Sequence, residues 1–356
     1  MGNILFLRFR KDGYGSVLLS LIMALTLISC SKSDDIPETI IPDVYVAGYF
    51  INSGYHAVLW KNDEATLLNE GGGDESAAWD VSVSGKDVYI AGYIKYGDVK
   101  QATLWKNGTN ITLSSSKSMA NTVFVSEKDV YVAGYGIDAG NTYSTPKLWK
   151  NGEEFSLPIE GYLGYANDVF VKGNDVYVCG WSNWDKSYPS NIYLKRAVLW
   201  KNGEFIELSD GSKTAEATAL YVSGNDVYTV GARGDEYHYY YATLWKNGSA
   251  QYLSSKKVFG IPEAYGVFVS GNDVYAVGYD YIGAEIVPTL WKNGTATVLP
   301  KEGHDAGFVY DIYVKDGKAY MCGEQGSRPI LWIDNEYKLL SDKGGSARAV
   351  FVTKRN

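Results

Sequence analysis

Asp43-Val44-Tyr45-Val46-Ala47-Gly48-Tyr49 returns, little altered, six more times along the chain, and each copy is followed by a segment close to Leu-Trp-Lys-Asn-Gly. The tryptophans of that second segment are Trp60, Trp105, Trp149, Trp200, Trp245, Trp291 and Trp332, spaced about 41 to 51 residues apart. A period of this length signals a propeller or a solenoid. Each unit reads as four short strands, as in Ala166 to Leu208: Ala-Asn-Asp-Val-Phe-Val, Asp-Val-Tyr-Val-Cys-Gly, Ala-Val-Leu-Trp and Glu-Phe-Ile-Glu-Leu. No stretch sustains a helical period. Asn-Gly joins the last two strands at 107, 151, 202, 247 and 293, and Gly-Asn joins the first two at 173, 224 and 271. Asn-Gly is a strong hairpin signal because a type I′ turn needs positive φ at both central residues.

Four-stranded meanders repeated seven times make an all-β chain, and the expected architecture is a seven-bladed β-propeller. The strand Val44-Tyr45-Val46-Ala47 is apolar on both alternating faces, as stacked blades require. The ends of the chain separate a ring from an open solenoid. The first copy lacks a preceding Ala-x-x-Val-Phe-Val strand, and the missing strand stands at the far end, at Ala347 to Val352. A ring closed by pairing the last strand with the first three predicts this offset, whereas a capped solenoid does not. The closing blade is expected from residues 347–352 plus 43–68, within a propeller domain of residues 43–356.

Ala57-Val58-Leu59-Trp60, Asp80-Val81-Ser82-Val83 and Val46-Ala47-Gly48-Tyr49 resemble the bacterial extracellular repeats of the HAF family, which combine an Ala-Phe-Leu-Trp-x-x-Gly strand with a Val-x-Gly strand. The resemblance covers roughly residues 43–352, and the His-Ala-Phe core survives only as His56-Ala57-Val58. It implies an exported β-rich repeat protein and carries no catalytic residue with it. The repeated signatures of WD and kelch blades are absent.

Ahead of the repeats, Arg8, Arg10 and Lys11 precede an apolar run from Val17 to Leu27 that ends in Leu27-Ile28-Ser29-Cys30. The run is short for a membrane span and reads as a cleaved signal, residues 1–29. Its ending resembles the lipobox of bacterial lipoproteins, which implies acylation of Cys30 and a flexible tether over residues 30–42. Ser31-Lys32-Ser33-Asp34-Asp35 resembles the export tag of surface lipoproteins in the Bacteroidetes, with an outer-membrane destination and membrane contact through the lipid alone. Removing residues 1–29 takes the net charge from -8 to -10. A nucleic-acid partner, which would call for a basic footprint, is not expected. Cys179 and Cys322 share one repeat position three blades apart, too far for a disulfide, and read as small buried hydrophobes.

A residue kept in most copies is kept for packing. The seven tryptophans, the tyrosines Tyr45, Tyr89, Tyr131, Tyr177, Tyr228, Tyr275 and Tyr320, and the glycines Gly48, Gly92, Gly134, Gly180, Gly231, Gly278 and Gly323 are therefore scaffold. Function is expected where the copies differ. Links between first and second strands, and between third and fourth, are tight and uniform, while the other two sets vary. Links alternate between the two ends of a meander, so both variable sets fall on one face, where binding loops are expected. That face is rich in aromatics: Trp181, Trp184, Tyr188 and Tyr193 in the fourth repeat, and Tyr237, His238, Tyr239, Tyr240 and Tyr241 in the fifth. Tyr279, Tyr281, Tyr162, Tyr165 and Phe259 stand in other links of the set. Such rings suit sugar stacking or protein contact.

The three histidines, His56, His238 and His304, have no metal-ligand spacing, and no nucleophile elbow, phosphate loop or dinucleotide fingerprint occurs, so neither metal nor cofactor is expected. Acidic residues on the variable links, Asp98, Asp138, Asp185, Asp235, Glu236, Asp280 and Glu285, leave room for a glycosidase pair, whose carboxyl separation a sequence does not give. The leading expectation is a lipid-anchored binding module for a glycan or protein ligand, with Trp181, Trp184, Tyr188, Tyr237, Tyr239, Tyr240, Tyr241, Tyr279 and Tyr281 as the contact set. The alternatives are a polysaccharide-acting hydrolase or lyase and a structural subunit of an envelope complex.

Overall fold

A computed structural model describes residues 41–69, 72–183, 194–237, 239–254 and 260–354. The signal segment, Cys30 and the acidic tag lie outside these residues, as do Trp184, Asp185, Tyr188, Tyr193, His238 and Phe259. The described chain forms seven four-stranded antiparallel sheets. Each is one blade of a β-propeller. Blade 1 is the closing blade: its inner strand is Gly345–Thr353, followed outward by Asp43–Ile51, Tyr55–Lys61 and Glu64–Leu67. Ladder pairs Val44 with Val352 and Tyr45 with Phe351 close the ring. The inner strands of blades 2 to 7 are Glu75–Ser84, Ser118–Ser126, Gly164–Lys172, Ala215–Ser223, Glu263–Ser270 and Gly307–Lys315. Each inner strand packs against the next around a central channel.

The repeated letters hold the blades in two ways. First, each tryptophan reaches from its third strand into the preceding blade: Trp245 of blade 5 packs with Tyr177, Cys179, Ala197 and Leu199 of blade 4, and Trp60 of blade 1 packs with Tyr320, Cys322 and Leu331 of blade 7. All seven are at most 1% exposed. Cys179 and Cys322 are buried free thiols in these interfaces. Second, Asp-Val-Tyr interlocks with Trp-Lys-Asn on the tight-turn face. In blade 4, Asn202 Nδ2 donates to Asp175 Oδ1 at 2.8 Å, Val176 N donates to Asn202 Oδ1 at 2.8 Å, and Lys201 pairs with Asp175 at 3.0 Å over the Tyr177 ring. The set recurs in blades 1 to 6. Blade 7 keeps only the backbone bond, from Ala319 N to Asp334 Oδ1 at 2.9 Å, because Ile333 and Lys318 replace the lysine and the aspartate.

The tight turns follow their sequence. Asn107 and Gly108 have φ of 51° and 81°, and Asn202 and Gly203 have 53° and 84°, the type I′ pattern. Gly173, Gly224 and Gly271 have positive φ, while the asparagines after them do not, which is the type II′ pattern with glycine at the first central position.

Candidate functional site

Every inner strand carries one extra residue against its neighbour, always at the same place. The register skips Arg348, Trp79, Asn121, Asn167, Thr218, Tyr265 and Tyr310 in blades 1 to 7. A β-bulge bends the strand and re-aims a side chain. Here seven bulges aim seven side chains at the channel mouth on the variable-link face, where all seven line a cavity of about 510 Å³. The repeated glycine is the other half of this device. A Cβ on Gly180 would collide with the carbonyl oxygen of Tyr165, and the equivalent glycine of each blade faces the equivalent carbonyl. None of these glycines has positive φ, so close approach of backbone is what selects glycine there.

The seven bulged residues split into two arcs. Asn121, Asn167 and Thr218, in blades 3 to 5, reach sideways to the next blade, donating to Ala166 O at 2.9 Å, Ala217 O at 2.8 Å and Ala264 O at 2.5 Å. Tyr265, Tyr310, Arg348 and Trp79, in blades 6, 7, 1 and 2, form a continuous wall. Tyr265 and Tyr310 have ring centroids 5.3 Å apart, and the Arg348 guanidinium lies 3.6 Å from the Tyr310 centroid and 4.8 Å from that of Trp79.

Carboxylates occupy the next layers. One residue beyond the bulge stand Asp80, Asp168 and Asp311, each bridging two inner strands. Asp311 accepts from Ile312 N at 2.7 Å and from Val350 N of the next blade at 2.8 Å. Asp80 accepts from Val81 N and Val123 N, and Asp168 from Val169 N and Leu220 N. All three keep some surface open to the channel, yet sit in a narrow well of protein. Poor solvation raises them to about 6, 7 and 8 for Asp80, Asp168 and Asp311, against the lowering effect of their backbone donors. Nearer the mouth, Glu216 and Glu263 line the same cavity. Lys195 pairs with Glu216 and lies 4.4 Å over the Trp181 ring. Burial first, and the charge of Glu216 second, push the Glu263 carboxyl upward. Below the aspartates, Phe124, Phe170, Tyr221, Phe268, Tyr313 and Phe351 form an aromatic belt with neighbouring centroids 4.7 to 5.0 Å apart, broken only at Ser82.

The aromatic residues expected on links are placed differently. Trp181, Tyr240, Tyr241, Tyr279 and Tyr281 lie in strands. Trp181 is 4% exposed, packed on Tyr165 at 4.8 Å, and Tyr279 is 9% exposed between Tyr265 and Phe308. Both back the cavity wall rather than face solvent. Tyr241 is buried against Tyr252, with its hydroxyl donating to Asp235 at 3.2 Å. Tyr239, Tyr240 and Tyr281 are half-buried, and Tyr237 is 62% exposed. Of the acidic residues on the links, Asp138 pairs with the buried Lys147, Glu285 pairs with Lys301, and Asp235 organises its own loop by accepting from Tyr237 N and Tyr239 N. Among the described residues no group of three or more His, Cys, Asp or Glu is placed to hold a metal ion.

The wall residues Trp79, Tyr265, Tyr310 and Arg348 stand on strands rather than on the variable links. Their signal was the x-x of Ala-x-x-Val-Phe-Val, two positions that vary inside an otherwise uniform strand.

Fold and cavity together define a seven-bladed β-propeller with an aromatic, acid-lined central mouth. No protein-family model matches the chain, and no curated protein matches it. Among solved structures it is similar to the computationally designed Ika8 protein, at 16% identity over 87% of this chain and 83% of that one, with a TM-score of 0.43. It is also similar to the acylaminoacyl peptidase of Pyrococcus horikoshii, at 13% identity over 83% of this chain and 52% of that one, with a TM-score of 0.46.

Proposed function

We propose that the protein is a binding module that takes a carbohydrate end into the channel mouth, and that it is exported and lipid-anchored through Cys30. The observation that carries the binding reading is the continuous wall of Tyr265, Tyr310, Arg348 and Trp79, which shares one cavity with the carboxylates Glu216 and Glu263. Aromatic faces stack on the apolar faces of sugar rings, while carboxylates and amides accept and donate to hydroxyls. The cavity volume falls within the roughly 300–1,000 Å³ range of small-molecule sites. The N-terminal signal and the sequence Leu27-Ile28-Ser29-Cys30 support export and anchoring. A glycan-array screen followed by titration tests the reading. Tyr310→Ala or Trp79→Ala should weaken binding about two- to tenfold, since a stacking contact contributes about 0.5–1.5 kcal/mol. Unchanged affinity in both variants would remove the site from the cavity.

A second reading, an enzyme acting on polysaccharide, is favoured by one observation. Glu216 and Glu263 share the cavity closely enough for the charge of Glu216 to raise Glu263, and a pair of neighbouring carboxyls is the acid and base or nucleophile of sugar hydrolysis. Reducing-end or unsaturated-sugar release, lost in Glu263→Gln, would support this reading. Absence of turnover on every bound glycan would leave the binding module alone.

A further inference from the structure

Arg348 is the one bulged side chain of the ring that is cationic, and the other charged residues lining the cavity are all acids. The rings of Tyr310 and Trp79 hold its guanidinium at 3.6 and 4.8 Å. A guanidinium over aromatic rings is held by its charge and keeps its N–H donors for other partners. Among the described residues, no acceptor takes a hydrogen bond or ion pair from it. The aspartates of the channel do not supply one: both oxygens of Asp311 and of Asp80 accept from backbone N–H groups. Lys195, the other cation at this mouth, is already paired with Glu216. Arg348 is half-buried at this open mouth, so its donors are available to an acceptor that enters the cavity and displaces water.

Resting on the binding reading above, we propose that Arg348 receives a carboxylate of the ligand, so that the module selects a uronic-acid unit over its neutral sugar counterpart. The planar donor edge matches a carboxylate in the two-point geometry that arginine favours. The remainder of the cavity selects against a more highly charged anion. Asp80, Asp168, Asp311, Glu216 and Glu263 line the same cavity as Arg348, and Glu324 acts on the same Tyr310 and Tyr49 hydroxyls as the guanidinium does. A dianionic phosphate would meet this field with twice the charge of a carboxylate. A carboxylate on a polyhydroxyl ring carries one charge to Arg348 and offers hydroxyls to the acidic side of the site.

The test is a titration of the purified protein with matched pairs, glucuronate against glucose oligomers and galacturonate against galactose oligomers, with the corresponding sulfated sugars as a third arm. The expected result is tighter binding of at least one uronate by about tenfold or more over its neutral partner. Arg348→Gln should abolish that preference while leaving affinity for the neutral sugar within about twofold, with folding checked by thermal melting. Arg348→Lys keeps the charge but not the planar fork, and should recover only part of the preference. Equal binding of uronate and neutral sugar, or a preference that survives in folded Arg348→Gln, overturns the inference and leaves the carbohydrate reading standing. A preference for the sulfated sugar overturns the assignment to a carboxylate. Failure of every sugar, acidic and neutral alike, overturns both readings, and the wild-type comparison needs no variant to fold.

Discussion

Gly180 and Asp311 show how single residues build the mouth. The bulge in blade 4 presses the Tyr165 carbonyl onto the Cα of Gly180, where any Cβ would collide with backbone that has no room to yield. Gly180→Ala should therefore cost about 1–3 kcal/mol, the range of overpacking, measured by urea unfolding. It should also perturb the cavity through Asn167, the bulged residue beside it. Gly140→Ala, at a surface turn with open space around it, gives a contrasting case in which only the strain of its positive φ is felt. Asp311 bonds one backbone N–H in each of two blades. Asp311→Asn sets an amide nitrogen, which accepts no hydrogen bond, against one of these backbone N–H groups and should destabilise the fold by about 1–3 kcal/mol at pH 5.

At the scale of the element, the unit of stability is the contact between neighbouring blades rather than the blade itself. A tryptophan from one sheet is enclosed by small and branched residues of the preceding blade, as Trp200 is by Ala133 and Leu157 with its indole N–H donating to Pro158 O at 2.8 Å. Trp200→Ala removes the largest side chain of that interface and should cost about 3–5 kcal/mol, read from denaturant midpoints. The same logic explains the short outer strands. Glu64–Leu67, Thr109–Thr112 and their counterparts are four residues long and largely exposed, which limits the length of free edge available for pairing with another chain. Seven tryptophans at one repeat position were legible as packing from sequence because all copies agree. The cavity wall was not, because its signal is disagreement among copies at a strand position, and disagreement on links was easier to see.

At the scale of the molecule, closure and channel electrostatics dominate. Removing residues 345–356 deletes the inner strand of blade 1, leaving Asp43–Ile51 with an unpaired edge beside the channel. The shortened chain should lose its single cooperative melting transition and self-associate, which circular dichroism and light scattering would register. The half-buried channel carboxyls give the molecule a pH dependence with a definite sign. Asp80, Asp168 and Asp311 hold protons to about 6, 7 and 8, above the unfolded value near 3.9. The folded state thus binds more protons than the unfolded one across this window, so their contribution is fully present below about pH 4 and is lost as pH rises through about 6 to 8. The melting temperature should fall between pH 5 and pH 9, with a shallower slope in Asp311→Asn. A flat profile in the wild type would show that channel water solvates these carboxylates fully.

The sequence by itself determined the number of blades, the strands of each, the turn chemistry and the split closing blade. These follow from local rules: period, alternation, turn residues with positive φ, and a strand missing at one end and present at the other. It also separated the scaffold tryptophans and tyrosines from residues free to vary. Only the tertiary structure decided which of the free residues meet. A bulge shifts the strand register by one residue, and nothing in the local pattern of a single strand reveals where that residue will point. Seven such shifts around a ring bring Trp79, Tyr265, Tyr310 and Arg348 to one cavity although they stand as much as 269 positions apart in the chain. Convergence of that kind depends on how the blades are arranged about the axis, which is a property of the closed ring and not of any one copy.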